Sequence, residues 1–244
     1  MPIDAEISSV VSHWQALPRA YGALYFPWLL VKGLSPTEGG SVELEKRDDG
    51  VLVPPCGHMA GIYARTDARV GVHKAPANEV MEGAVDLDAD ISDREHARLN
   101  DVGVNCLRAL PGRGIRILGA RTLSGQPGRR YVNVRRLFLS MSRWIEHNMN
   151  DLVFEPNAPS LWERIRQRLG AYCYDLFLQG AIKGRSADEA FFVKCDAEIN
   201  TPEIRESGRV IADVGLATVV PAEFVIVRIT QSVAGIAVGE PTVS

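Results

Sequence analysis

GVNCLRALPGRGIRILGARTL, residues 103–123, sets two apolar runs, Asn105 to Leu110 and Ile115 to Ala120, on either side of Pro111-Gly112-Arg113-Gly114. Short runs rich in Val, Ile and Leu and bounded by Pro and Gly are strand signals, and the turn residues between them predict a tight reversal. The stretch therefore reads as a β-hairpin. Its glycines and arginines could in principle cradle a phosphate, but they match neither GxxxxGK[ST] nor GxGxxG. Helical signals lie on both sides, so helices and strands alternate in mixed order. The expected class is α+β, a mixed β-sheet flanked by helices, in a single domain over residues 1–244.

The helices are announced by their starts and stripes. Ser92 with Glu95, Ser160 with Glu163 and Ser186 with Glu189 each fit the capping box, in which serine and glutamate satisfy early amides reciprocally. From Ser160, apolar residues at 162, 165, 169, 172 and 176 recur at helical spacing and predict a long helix ending near Gly180. Val134, Leu137, Phe138, Met141 and Ile145 make a second stripe. Shorter helices are expected over Met59 to Asp67, after Pro54-Pro55, and from Pro202, which suits a first helical position after Thr201.

Strand signals fall between these. In Val85 to Ile91, apolar residues alternate with Asp86, Asp88 and Asp90, which predicts one buried and one acidic face. Further strands are expected over Leu24 to Val31, Leu152 to Phe154, Phe191 to Cys195, Val210 to Val220 and Phe224 to Thr230, with Pro221-Ala222-Glu223 as a second reversal. The tail after Gln231 is small, apolar and uncapped, and reads as an arm.

Composition bounds the function. With 46% hydrophobic residues among 244, the chain can bury a conventional core, and a net charge of −3 argues against wholesale binding to nucleic acid or an anionic membrane. No apolar run approaches the roughly 18 residues of a membrane helix, and the start lacks the regions of a secretory signal, so synthesis in the cytosol is expected. Cys56, Cys106, Cys173 and Cys195 form no CxxC pair and have no adjacent histidine, so reduced, buried thiols are expected. The five histidines show no metal spacing, no serine sits in GxSxG, and Asp86, Asp88 and Asp90 lack the glycine and closing glutamate of an EF-hand. No catalytic residue, metal or cofactor is expected, and the chain is not read as an enzyme.

Charge is sorted along the chain. Glu79 to Asp101 holds eight acidic residues against Arg94 and Arg98, whereas Arg108 to Arg143 holds nine arginines and no acid. The two segments either neutralise each other within one molecule or meet complementary surfaces on other subunits, where opposed charge fixes register. The arginines with Tyr131, Phe138 and Trp144 also offer an alternative reading, nucleic-acid binding through segment 108–143. Against it, Phe138 belongs to an apolar stripe and no RNA- or DNA-binding motif accompanies the arginines.

Seven ordered blocks carry a resemblance: PCGHMAGIYARTD (55–67), GVHKAPANEVMEG (71–83), the hairpin block (103–123), RYVNVRRL (130–137), VFEPN (153–157), AFFVKCD (190–196) and PAEFVIVRI (221–229). In order and spacing they resemble the phage tail sheath family, in the C-terminal part of a full-length sheath protein. The similar region runs from about residue 21 to 230, leaving 1–20 as an N-terminal helix or extension and 231–244 as a C-terminal arm. The N-terminal arm and outer domain of many sheath proteins are not recognisable.

The resemblance implies a subunit that forms stacked sixfold rings around an inner tube and drives the tube out by switching from an extended to a contracted lattice. It implies homo-oligomers, an inner tube protein, and baseplate and terminator or cap proteins as partners, with neither membrane nor specific nucleic acid. Assembly in the bacterial cytoplasm is implied, as part of a phage tail, a tailocin or an extracellular contractile injection system. It also implies terminal strand exchange, for which Phe224, Val225, Ile226, Val227, Arg228, Ile229 and Thr230 are the candidates. For contact with an acidic tube or neighbour, the candidates are Arg129, Arg130, Arg135, Arg136 and Arg143.

Overall fold

The computed structural model describes residues 3–18, 22–32, 46–47, 50–152, 155–218, 224–232, 235–239 and 242–243. Packing divides the chain into two units, residues 1–133 and 134–244. In the first, α1 (Ile3–Ala16) precedes β1 (Leu24–Phe26), β2 (Leu29–Val31), β3 (Lys46–Arg47), β4 (Gly50–Val53), α2 (Cys56–Arg69), β5 (Ala84–Leu87), α3 (Asp93–Val102), β6 (Val104–Leu110) and β7 (Gly114–Leu118). The hairpin read from the sequence is β6–β7, antiparallel with Arg108 opposite Arg116, and β1 runs parallel to β6 on its other side. The run expected over Leu24 to Val31 is two strands, because Pro27 at its middle cannot donate to a ladder.

The hairpin is legible because β6 is buried on both faces. Leu107, Ile115 and Ile117 pack with Leu29, Val31, Met59 and Ile62 of the second sheet (order β3-β4-β2-β5) and α2. Val104 and Cys106 point the other way, into Ile7 of α1 and Leu99 of α3. Each fully buried Leu or Ile contributes about 1.5–3 kcal/mol, so this double-sided burial anchors the unit. α3 starts on the predicted capping box: Glu95 N donates to Ser92 Oγ, and Ser92 N donates to Glu95 Oε2 at 2.8 Å. It ends at Gly103, whose φ of 96° is the left-handed stop that glycine adopts without a Cβ clash.

Two strand expectations need correction here and in the next unit. β5 stops at Leu87, and Val85 is 50% exposed instead of facing the core. A register shift against Leu30 and Val31 of β2 breaks the two-residue alternation there. Leu152 closes a 3₁₀ turn, Asn150–Leu152, and the rest of that predicted strand, 153–154, lies outside the described residues, as do the reversal at 221–223 and residues 219–220 of the predicted 210–220 strand.

In the second unit α4 (Val132–Asn148), which begins at the boundary, is followed by α5 (Pro159–Leu178), α6 (Ala187–Ala190), β8 (Phe191–Lys194), α7 (Pro202–Glu206), β9 (Val210–Ala217), β10 (Phe224–Ser232), β11 (Gly235–Val238) and β12 (Thr242–Val243). The predicted α4 stripe is buried at all five positions, and Trp144 stacks on Tyr172 of α5 at 4.1 Å and 15°. α5 begins at Pro159 with Ala158 as its cap, so Ser160 is a helical residue and forms no capping box. Pro159 takes the first helical position because it has no N–H to satisfy. Ser186 does precede α6, but its side chain caps nothing; Glu189 accepts from Arg185 N at 2.9 Å. The glutamate reaches one residue past the cap, to Arg185, so the reciprocal pair of the box is not made.

Candidate assembly surfaces

The predicted exchange strand, 224–230, lies within β10, which is an inner strand. β9 pairs with it over Phe224–Gln231, in register from Phe224 opposite Ala217 to Gln231 opposite Val210. Its other edge is occupied by the chain's own tail: β11 pairs Ile229–Ser232, and β12 pairs Val225 and Ile226. The C-terminal arm expected after Gln231 therefore folds back as antiparallel strands. Val227 and Ile229 are buried, Ile226 and Thr230 half-buried, and Arg228 points outward. Gln231 is buried, and its Nε2 donates to Leu152 O at 2.7 Å, tying the end of β10 to the unit.

The five candidate arginines are divided between the two units. Arg129 ends a 3₁₀ turn and Arg130 follows it; Arg135, Arg136 and Arg143 lie on α4. Arg130 and Arg143 are exposed, whereas Arg129, Arg135 and Arg136 are half-buried. Arg136 and Arg143 stand seven residues apart, two helical turns, on the α4 stripe that also carries Ser140 and His147. Arg135 instead lines a small cleft, about 140 Å³, with Leu139, Ser142, Glu146, Val227 and Val238.

The sorted charges are partly joined within the chain, for Arg108 Nη1 donates to Asp93 Oδ1 at 2.7 Å. Glu79, nearly buried, accepts from Arg69 at 2.5 Å and lies 3.9 Å from Lys74 Nζ. A second set joins arginines of the hairpin to residues far from it in sequence. Arg116 Nη1 donates to Asn78 O at 2.6 Å, Arg113 Nη2 to Asn78 Oδ1 at 3.3 Å, and Arg65 Nη2 to Val80 O at 2.6 Å. Arg65 and Arg116 line a cleft of about 410 Å³ between the end of α2, segment 78–82 and β7, and Arg113 is tied to it through Asn78.

All four cysteines are free. Three are buried, and burial pushes the Cys106, Cys173 and Cys195 thiols up to about 12. Cys56 is exposed, contrary to expectation, because it stands at the first position of α2, ahead of the helix's buried residues Met59, Ile62 and Thr66. Among the described residues no group of three His, Cys, Asp or Glu could hold a metal ion, and no helix is long and apolar enough to cross a membrane.

Two family models match in order: the phage tail sheath protein central domain over residues 19–123 and the phage tail sheath C-terminal domain over 126–232. Among solved structures, the sheath complex of PVC, an extracellular contractile injection system, in its contracted state is 34% identical with a TM-score of 0.76, over 88% of this chain and 58% of that one. The helical sheath of the anti-feeding prophage, also contracted, is 35% identical with a TM-score of 0.70, over 83% and 53%. The sheath tail protein Lin1278 of Listeria innocua is 14% identical with a TM-score of 0.61, over 91% and 52%, a likeness of fold alone. The chain thus spans a little over half the length of these relatives. No curated protein sequence matches it.

Proposed function

The chain belongs to the phage tail sheath family, and on that premise we propose that it is a structural subunit of a contractile sheath. The ordered match of both sheath domains, with 34–36% identity to sheath and baseplate structures of contractile injection systems, carries this reading. In it the subunit polymerises as stacked sixfold rings around an inner tube, meets baseplate and terminator proteins at the ends, and is assembled in the bacterial cytoplasm. Contraction then follows from the free-energy difference between two lattices of one subunit, with no bound nucleotide required.

Two surfaces serve the lattice in this reading. β10 is the exchange strand: its outer edge, held by β11 and β12 of the same chain, accepts the tail of a neighbour once its own tail leaves. Main-chain pairing is conserved in such a swap, so the two states differ little in hydrogen bonding while the connections absorb subunit rotation. In the same reading Arg129, Arg130, Arg135, Arg136 and Arg143 are the residues that meet an acidic tube or an acidic neighbour.

Co-expression with an inner tube protein of a contractile injection system, followed by electron microscopy, tests the whole. Tubes clad in ordered rings or helical polymers are expected. A monomeric chain that leaves the tube bare overturns the reading, and salt-dependent retention on nucleic acid would favour the alternative. Charge reversal of the five arginines is expected to reduce cladding most at low salt.

A further inference from the structure

We propose that the arginine cleft of the first unit is a head-to-tail docking site for the acidic edge of a second copy of this chain, centred on Asp86 and Asp90. The cleft is preorganised for carboxylates. Arg116 is oriented by Asn78 O and by Arg113 O, at 2.6 and 3.0 Å, and Arg113 by Asn78 Oδ1, so neutral carbonyls fix both guanidiniums without cancelling their charge. Asn78 itself has φ of 61°, a left-handed conformation that asparagine tolerates, and its N–H donates to Ile117 O at 2.7 Å, locking the segment to β7. Among the described residues neither Arg113 nor Arg116 has an acidic partner.

Around them the signs are mixed. Arg65 pairs with Glu82 and Arg69 with Glu79 on the same walls, with Lys74 beside Glu79. Five cations against two carboxylates attract an acidic segment, but the interleaved glutamates repel a densely charged phosphate chain and favour carboxylates spaced along a peptide. The chain carries such a segment on a different element: Asp86 on β5, the edge strand of its sheet, and Asp90 just beyond it are both exposed. Two distinct patches that complement each other make a heterologous contact, the type that closes rings or extends helices. The contact rests on the sheath reading for its place in a lattice, and on charge complementarity for its chemistry.

A charge swap tests it. By sedimentation velocity at about 20 mM salt, wild type is expected above monomer mass, returning to monomer at about 500 mM salt. Arg113→Glu with Arg116→Glu, and separately Asp86→Lys with Asp90→Lys, should each sediment as monomer at low salt. Mixing the two variants should regain mass, as should the quadruple variant, whose recovery also shows that the substitutions leave the fold intact. The milder Arg113→Gln should give an intermediate mass. Wild type that is monomeric at low salt, arginine variants that associate like wild type, or a quadruple variant that stays monomeric would each overturn the contact. If tube cladding persists in all variants, the contact alone falls; if wild type never clads a tube, the sheath reading falls.

Discussion

Arg228 closes on Asp213 across the β9–β10 ladder through two parallel hydrogen bonds, Nε to Oδ1 and Nη2 to Oδ2, both 2.8 Å. The residues are direct cross-strand partners, and Lys194 of β8 faces Asp213 from the other side. Asp213 is mostly covered at 13% side-chain exposure, while Arg228 is 62% exposed, so solvent screens much of the attraction. Asp213→Asn should therefore cost only about 1 kcal/mol, read as a lower urea midpoint, with the difference shrinking in high salt. A loss independent of salt would assign Asp213 a packing role instead.

Each unit also contains a buried asparagine that acts as a clamp. Asn105, fully buried, donates from Nδ2 to Leu24 O and Arg121 O at 3.1 and 2.8 Å and accepts from Arg121 N at 2.7 Å. Asn200 does the same with Asp196 O, Ile211 O and Ile211 N. Leucine at 105 takes the side-chain partner from two carbonyls and an amide, and leucine at 200 from the Ile211 carbonyl and amide, since Asp196 O keeps the residue-200 N–H; each should cost about 2–4 kcal/mol, measured by chemical denaturation. Gly119→Ala should also destabilise, since its φ is +139° and a Cβ there would come within 2.7 Å of Asn105 Oδ1.

These clamps mark the limit of what pattern reading reaches. The β6–β7 hairpin, the stripes of α4 and α5 and the cap at Ser92 were legible, because they are set by burial period and local hydrogen bonds. Asn105 and Asn200 were not, because their partners lie 16 and 81 residues away in one case and 4 and 11 in the other, and nothing local announces them. The same holds for the arginine cleft, since Arg65 and Arg116 meet segment 78–82 only after α2 and β7 have folded. The tail was read as an arm from composition, and its pairing with β10 is a register that only the fold supplies.

Thiol chemistry should follow burial. In the native protein at pH 8, iodoacetamide should add once, at Cys56, with three further additions only after unfolding; intact-mass measurement decides it. The folded pKa of Cys106, Cys173 and Cys195 is raised from 9.0 to about 12 by burial. Stability from their neutral form is therefore fully present below about pH 9 and is lost as pH rises toward 12. Cys106→Ala should flatten that alkaline limb while lowering stability at neutral pH. More than one native adduct would show that the buried thiols open locally.

The pairing of β10 with its own tail gives exchange a direct test. Thr230 and Ala237 are cross-strand partners in the β10–β11 ladder. Partners in an antiparallel pair place their Cα atoms about 4.5–5.5 Å apart, within the span a disulfide accepts. Thr230→Cys with Ala237→Cys, in a Cys56→Ser background, should lock the tail onto its own chain under oxidising conditions. If neighbours trade this strand, the locked protein should stay off the tube and reductant should restore cladding, with the fold unchanged because the native pairing is retained. Equal cladding with and without reductant would mean that β10 keeps its own tail in the lattice, and that connection between subunits comes from side-chain surfaces such as the arginine cleft.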